Sequence, residues 1–219
     1  MSGSRRSPRL ADVRLEGERA LLRPVLAADA ADAFPLIHGR REVLEWLIWK
    51  GPADLAELEK AYASWITPAP EAANYHLAIV DARDGRFAGT LVLRFADHPL
   101  ECDVGYWVGP PFWGRGLATE AVGLACRLAF RHLRSERAVA DVFLGNEASC
   151  RVLEKNGFER MPGSSVLELP DGTRRDEWRF RLEREAFERA QHPAPRLEDV
   201  CFEPPVDRPL RRRRSRPSS

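Results

Sequence analysis

Hydrophobic and polar residues recur along this chain with two different periods. Short segments with a period of two, bounded by Gly, Pro or Asp, are typical of strands with one buried face. These predicted strands are Val13–Pro24 (one strand or a hairpin), Tyr75–Val80, Phe87–Ala96, Glu101–Val108, Ala138–Phe143, Phe158–Leu169 and Thr173–Leu182. Segments with a period near 3.6 predict helices at Ala27–Gly39, Glu42–Trp49, Leu55–Ile66, 115–133 and a short stretch from Ser149.

The turns between these segments indicate how the strands pair. Asp81–Gly85 and Pro170-Asp171-Gly172 are hairpin signals, because Asp and Gly tolerate the backbone angles of tight turns. Consecutive hairpins make antiparallel pairs, whereas the helix at 115–133 interrupts them. We therefore predict an α/β fold of the α+β type, with a mixed, mostly antiparallel twisted sheet flanked by helices, in one domain spanning 12–190.

The two ends of the chain lack a periodic apolar face. Residues 1–11 and the Pro- and Arg-rich residues 191–219 are expected to be disordered, since they cannot bury enough apolar surface to offset the entropy of ordering. The net charge is +1, but nine arginines lie in the terminal segments 1–9 and 208–219. That leaves 25 basic against 33 acidic residues in 10–207, an acidic body that suits a cationic partner. The arginine tail predicts a weak, salt-sensitive contact with RNA or the ribosome.

Composition excludes several classes of protein. Hydrophobic residues make up 44% and charged residues 31%, as in ordinary globular proteins, and no apolar run has the length of a membrane span. The first ten residues have arginines but no apolar core, unlike a secretory signal. The four cysteines form no C-x-x-C pair and no metal-ligand spacing, so we expect reduced thiols, no metal and a cytoplasmic protein without membrane contact.

The segment Leu100–Leu133 contains the strongest functional signal. A predicted strand ends at Gly109-Pro110-Pro111, and Trp113–Ala118 then opens a helix with two glycines in the turn. Such a turn can bring unpaired backbone N–H groups against an anion, although a G-x-G turn can also serve only as a tight corner. The turn is neither a dinucleotide fingerprint nor a P-loop, because it lacks the further glycines and the Gly-Lys-Ser/Thr that these require.

Three motifs occur here in a fixed order, and together they resemble a known family. Gly105-Tyr106-Trp107, Trp113–Ala121 and Asn146–Phe158 are similar to the motifs of GNAT N-acetyltransferases of the RimJ/RimL type. The resemblance extends from about Val13 to about Arg184. It implies the GNAT fold and an acyltransferase that moves an acetyl group from acetyl-CoA to a primary amine by direct attack in a ternary complex.

The resemblance implies a protein N-terminus as the acceptor. The chain is expected to be a monomer or a homodimer. Two alternatives stay open from the sequence. One is acetylation of a small amine such as a polyamine or an aminoglycoside. The other is an acyl-CoA-binding protein without catalysis.

The resemblance also assigns residues to the cofactor. Backbone amides of the glycine turn and the first helical turn would hold the diphosphate, and strand and helix residues would hold the pantetheine arm, with the Val108 N–H as the oxyanion donor. The cofactor-binding residues predicted in this way are Trp107, Val108, Gly114, Arg115, Gly116, Leu117, Ala118, Asn146 and Ser149. The Arg115 side chain would contact phosphate or point to solvent, and Trp113 is expected to be a packing residue.

Proton transfer needs a base and an acid. Asp103 is the predicted base, acting directly or through water, and Glu101 on the same strand face is the second candidate. Many family members use a Tyr as the acid at the position where this chain has Leu153. The resemblance therefore makes Ser149 the predicted donor to the leaving thiolate. Ser also favours the helix N-cap, so Ser149 could instead serve only as a cap. Cys150 is expected to be inert, since no His lies near it in the sequence.

Two tryptophans precede the third helix in the region that borders the acceptor in this family. Trp46 and Trp49 would form a wall for a peptide if exposed, or part of the core if buried.

Overall fold

The computed structural model describes residues 13–66, 74–95 and 100–190. The predictions for the two arms, 1–11 and 191–219, including the RNA or ribosome contact, concern residues outside these ranges. Cys201 lies outside them as well.

The described strands form one sheet. Their bounds are β1 Leu15–Glu16, β2 Ala20–Pro24, β3 Tyr75–Asp81, β4 Phe87–Arg94, β5 Glu101–Val108, β6 Arg137–Phe143, β7 Glu159–Arg160, β8 Ser165–Glu168 and β9 Arg174–Glu183. The spatial order is β1-β2-β3-β4-β5-β6-β9-β7, with β8 also on β9. Every pair is antiparallel except β5 with β6, which run parallel because α4 connects them.

Helices cover both sides of this sheet. Their bounds are α1 Ala30–Ile37, α2 Arg41–Leu44, α3 Leu55–Ile66, α4 Leu117–Arg131, α5 Glu147–Lys155 and α6 Arg184–Ala190, with 3₁₀ turns at Ala27–Asp29 and Pro110–Phe112. Helices α4 to α6 pack on one side, around Leu22, Leu77, Leu91, Val104, Leu117, Leu128 and Phe180. Helices α1 and α3 pack on the other side, around Ala33, Leu58, Tyr62, Ala78, Val80 and Phe87. The predicted mixed, mostly antiparallel fold is confirmed.

The predicted helix Glu42–Trp49 is largely wrong. Only Arg41–Leu44 is helical, and the chain then continues in tight turns. Tertiary contacts account for the difference, because Arg175 Nη1 donates to the carbonyl of Glu45 at 3.1 Å and Lys50 pairs with Asp171 at 3.1 Å. The helix propensity of this segment is weaker than its attachment to the β8–β9 hairpin.

The predicted strand Phe158–Leu169 is divided into β7 and β8. Pro162 and Gly163 separate the two pieces, and Gly163 has φ +85°, a left-handed conformation that a strand does not contain. Other boundaries agree with the predictions to within a few residues. Asp54, for example, caps α3 by accepting a hydrogen bond from the Glu57 N–H at 2.8 Å.

Candidate active site

The two parallel strands separate along their length. β5 and β6 pair only at Glu101, Cys102 and Asp103, opposite Arg137, Ala138 and Val139. β5 nevertheless continues to Val108 and stays paired with β4, while β6 continues to Phe143 and stays paired with β9. The sheet therefore opens into a V-shaped split, and backbone groups of β5 that face the split have no strand beside them.

The hydrogen-bond alternation of an antiparallel pair shows which backbone groups face the split. The N–H of Gly109 donates to the carbonyl of Ala88 on β4 at 2.8 Å. Two residues earlier, Trp107 therefore also directs its backbone groups toward β4, whereas those of Tyr106 and Val108 point toward β6. The sequence predicted backbone contacts from both Trp107 and Val108. In the structure, the backbone groups of Val108 point into the split and those of Trp107 point away from it.

The glycine turn lies at the wide end of the split. Gly114 has φ +70° and Gly116 has φ +79°, so both glycines adopt left-handed conformations that other residues rarely adopt. Gly116 is the N-cap of α4, and no side chain caps the helix. Across the described residues, no protein acceptor faces the amides of residues 114–119. Unpaired N–H groups at the start of a helix favour the binding of an anion.

The side chains of the turn have structural partners. Arg115 forms an ion pair with the buried carboxylate of Asp81 and lies over the ring of Phe112, 5.3 Å from its centroid. Its guanidinium thus points neither to open solvent nor directly into the turn. Trp113, expected to be buried by packing, is 49% exposed, and its indole N–H donates to the Val108 carbonyl at 2.6 Å. This bond attaches the turn to the end of β5.

Two hydroxyl groups meet on the α4 side of the split. The Tyr106 hydroxyl lies 2.8 Å from Ser149 Oγ. Burial raises the pKa of the Tyr106 phenol, and the hydrogen bond to Ser149 offsets part of that effect. Leu153 is fully buried in the core, so the phenol near Ser149 comes from β5 instead. Sequence reasoning missed Tyr106 as a polar site residue, although its place in the Gly-Tyr-Trp motif was a signal.

The N-cap of α5 is Asn146, not Ser149. Asn146 Oδ1 accepts a hydrogen bond from the Ser149 N–H at 3.1 Å, so Asn146 fixes the first turn of the helix. The Ser149 hydroxyl is thereby left to interact with Tyr106. Both residues are partly buried and border the split.

The carboxylates predicted for proton transfer lie on the opposite, α1 side of the sheet. Asp103 accepts a hydrogen bond from Arg94 Nε at 3.1 Å, where Gly105 leaves room for the guanidinium. Glu101 is paired with Arg137 at 3.3 Å and with Arg179 at 3.1 Å. Asp103 thus lies at the last paired position, where the split begins, and Glu101 lies two residues behind it.

Asp141 is a further carboxylate at the split, and no motif in the sequence pointed to it. It follows Val139 by two residues on β6, and therefore lies on the same side of the sheet as Asp103, beyond the last β5–β6 pair. Burial raises the pKa of Asp141 to about 6, with contributions from the negative charges of Glu177 and Asp103. Arg179, 3.5 Å away, and Arg94 oppose the rise. Such a carboxyl changes protonation near neutral pH.

The two predicted acceptor-site tryptophans have different surroundings. Trp49 packs against the core between the sheet and helices α1 and α3. Trp46 is half-buried, and a Cβ built on Gly145 would lie 3.7 Å from its Cη2 atom, next to the N-cap of α5. Of these two tryptophans, Trp46 is therefore the one that borders the split.

The described cysteines are buried free thiols. Burial raises the pKa of Cys102 to about 12 and that of Cys126 well above its usual value. The pKa of Cys150 is also raised by burial, which favours an unreactive thiol. Within residues 13–66, 74–95 and 100–190, no three potential ligands assemble into a metal site, and no helix has the length and apolarity to cross a membrane.

Both the sequence and the fold resemble those of known acetyltransferases. Residues 19–159 match the model of an acetyltransferase (GNAT) domain. The chain is 30% identical over 151 residues to "Probable N-acetyltransferase YjcK" of Bacillus subtilis, covering 67% of this chain and 83% of that protein.

Two solved structures share the fold. Mycobacterium smegmatis RimJ in complex with CoA-disulfide has 23% identity and a TM-score of 0.66, covering 79% of this chain and 86% of that chain. Spermidine N-acetyltransferase from Vibrio cholerae, in complex with CoA and spermine, has 19% identity and a TM-score of 0.66, covering 78% and 99%. The split sheet, the unpaired amides before α4 and the family match lead to one conclusion: the chain belongs to the GNAT acetyltransferase family and is an N-acetyltransferase.

Proposed function

We propose that this acetyltransferase transfers the acetyl group of acetyl-CoA to the α-amine of a protein N-terminus, by direct attack in a ternary complex. The observation that carries the proposal is the split between β5 and β6, with carboxylates on one side and paired hydroxyl groups on the other. An amine can then approach from the α1 side while the thiol leaves on the α4 side.

The residues at the split fit coenzyme A. Left-handed glycines at 114 and 116 leave the amides of 114–118 open to the diphosphate, and no side chain caps α4 in its place. Val108 directs its N–H into the split, where it can donate to the thioester carbonyl, and Tyr106 presents backbone groups to the pantetheine arm. Acetyl-CoA supplies the acetyl group in activated form, as a thioester.

Asp141 is suited to accept the proton from the incoming amine. An ammonium has no lone pair, so the proton must leave before attack, and a base with a pKa near neutrality balances availability against strength. The pKa of Asp141, about 6, meets that requirement. Asp103, paired with Arg94, lies beside it and can hold the amine or relay its proton through water. Glu101, bound by two arginines, has a positioning role.

On the opposite side, Ser149 can donate a hydrogen bond to the departing thiolate. Tyr106, 2.8 Å from the Ser149 oxygen, orients that hydroxyl and can donate to it in turn. A chain of two hydroxyl groups stabilises negative charge better than one, because each bond polarises the next.

The charge balance at the split favours an acceptor with a single positive charge. Among the described residues on the α1 side, Arg94 pairs with Asp103, Arg137 and Arg179 pair with Glu101, and Arg179 also pairs with Asp141. A polyamine with several ammonium groups would need carboxylates that are not paired in this way. A protein N-terminus carries one ammonium at the reacting end, and Trp46 provides an apolar wall for the residues that follow it.

A turnover assay with an acceptor panel tests the proposal. Purified protein is mixed with acetyl-CoA and with peptides of varied first residue, N-terminally blocked peptides containing Lys, spermidine and an aminoglycoside, and thiol release is measured. We expect turnover with free N-terminal peptides, and mass spectrometry should place the acetyl group on the α-amine. Turnover only with spermidine or the aminoglycoside would refute the acceptor class, and none with any amine or cell protein extract would favour an acyl-CoA-binding role.

Three further parts of the proposal concern the cell and the assembly. A cytoplasmic location is supported by the free thiols of Cys102, Cys126 and Cys150, since oxidising compartments favour disulfides. A contact of the arginine tail with RNA or the ribosome, and a monomeric or homodimeric state, remain predictions from the sequence and the family. Deleting residues 208–219 should leave turnover with peptides unchanged and lower the affinity for RNA at low salt.

A further inference from the structure

Arginines from three segments surround the glycine turn at the wide end of the split. Arg115 belongs to the turn, Arg83 and Arg86 belong to the β3–β4 hairpin, and Arg19 belongs to the β1–β2 turn. A Cβ built on Gly116 would lie 3.2 Å from the Cδ atom of Arg19 and 3.6 Å from its Nε atom. The Arg19 side chain therefore lies against the residue that starts α4.

Three of these arginines are held by nearby carboxylates. Arg115 and Arg83 both pair with the buried Asp81, and Arg86 pairs with Asp84 at 2.7 Å. Arg19 differs, since its one ion pair among the described residues is a 4.0 Å contact with Glu18, and its side chain is 58% exposed. Arg19 is thus the arginine at this turn with a weakly bound guanidinium.

The backbone of Arg19 is fixed although its side chain is exposed. Glu120, in the first turn of α4, accepts hydrogen bonds from the amides of Glu18, Arg19 and Ala20 at 3.0, 2.6 and 2.6 Å. The Arg19 carbonyl accepts the N–H of Ala82 at 2.8 Å. Because α4 itself holds the β1–β2 turn, the position of Arg19 follows that of the helix N-terminus.

We infer that Arg19 is a phosphate-binding residue, which closes over the coenzyme A diphosphate from the side opposite the amides of the glycine turn. The inference rests on the proposed function, because it assumes that the diphosphate lies at those amides. Guanidinium groups bind phosphate oxygens with two parallel hydrogen bonds, a geometry that a backbone amide cannot provide. The exposed Arg19 has the reach and the free donors for such a contact.

Calorimetric titration of coenzyme A and of 3′-dephospho-CoA tests the assignment. Arg19→Ala should weaken binding of both ligands by about 5–20-fold, somewhat less than a fully buried charged hydrogen bond because solvent screens the exposed side chain. Arg19→Lys should recover part of the loss by restoring the charge without the two-pronged donor. Arg14→Ala is the matched control, since Arg14 is an exposed arginine of the same hairpin paired with Glu16 at 2.7 Å. The control should bind like wild type.

The outcomes separate this inference from the proposed function. An equal loss with both ligands supports a contact with the diphosphate. A loss with coenzyme A alone would move the contact to the 3′-phosphate and overturn the assignment. Unchanged affinity in a folded Arg19→Ala variant would overturn the inference while leaving the cofactor site intact. Failure of the wild-type protein to bind coenzyme A at all would instead remove the proposed function.

Discussion

Replacement of Asp141 by Asn is expected to stabilise the protein at neutral pH while lowering its activity. The Asp141 side chain is 32% exposed at the split, and the charges of Glu177 and Asp103 add to its partial loss of solvation in raising its pKa. Asn has nearly the same shape and cannot ionise. The substitution therefore removes the charge and the proton-accepting oxygen with little change in packing.

The size of the effect follows from the pKa. Unfolding returns the Asp141 pKa from about 6 to 3.8, and one pH unit of such a difference is worth about 1.4 kcal/mol. Ionisation thus costs the folded protein at most about 3 kcal/mol, and solvent screening of a side chain that is 32% exposed reduces this to about 1–2 kcal/mol. The sign is fixed: a carboxyl with a raised pKa destabilises the folded state progressively as pH rises from about 4 to 6.

Chemical denaturation at pH 4.5 and pH 7.5 measures the stability effect. The difference in unfolding free energy between Asp141→Asn and wild type should shift by about 1 kcal/mol in favour of the variant at the higher pH, because about a third of the full effect is already present at pH 4.5. Asp176→Asn, which changes an exposed carboxylate on the neighbouring strand β9, should show no comparable shift. For activity, wild-type kcat/KM for a peptide acceptor should rise as pH increases through about 6. The variant should lose that dependence and at least about tenfold of the rate at pH 7.5.

Either half of the result can refute the reasoning. A stability difference that does not change with pH would mean that the Asp141 pKa is ordinary. A variant with the wild-type pH–rate profile would show that Asp141 does not accept the proton, and the same measurement on Asp103→Asn would then test the base expected from the sequence. Loss of the pH dependence in Asp103→Asn alone would assign the base to Asp103.

Three further predictions test separate parts of the structure. Gly116→Val should abolish measurable coenzyme A binding in calorimetry without unfolding the protein, because Val opposes φ +79° and blocks the amides; unchanged affinity would exclude the turn as the diphosphate site. Ser149→Ala should lower kcat about 10–100-fold with little change in acetyl-CoA affinity, and Tyr106→Phe should lower kcat by a smaller factor. If kcat in both variants equals that of wild type, these hydroxyl groups have only a structural role. Glu120→Ala should reduce the unfolding free energy by about 2–4 kcal/mol in urea denaturation, since three backbone donors lose a charged acceptor, whereas the exposed Glu154→Ala should change it by under about 0.5 kcal/mol.

The sequence alone was sufficient for the fold and for the place of the glycine turn before α4. Both depend on residues that lie close together in the chain: alternation within a strand, the 3.6-residue period of α4, and two glycines before a helix. Such local patterns persist in the folded protein because burial of one face requires them. The order of the motifs between Gly105 and Phe158 predicted the family. The match of residues 19–159 to the acetyltransferase (GNAT) domain then established it.

Where a local pattern competed with tertiary contacts, the sequence misled. The helical period at Glu42–Trp49 continues past Leu44, but Arg175 and Lys50 hold the following residues against the β8–β9 hairpin. Here contacts between distant segments decided between conformations of similar intrinsic energy.

Only the tertiary structure determined which side chains meet at the split. Asp141 has an ordinary strand context, and its raised pKa arises from burial and from Asp103 and Glu177 on other strands. The 2.8 Å contact between Tyr106 and Ser149 and the approach of Arg19 to Gly116 likewise join distant parts of the chain. The strand register and the point where β5 and β6 separate determine which of these side chains come into contact. Both depend on packing of the whole sheet, so no local pattern of residues encodes them.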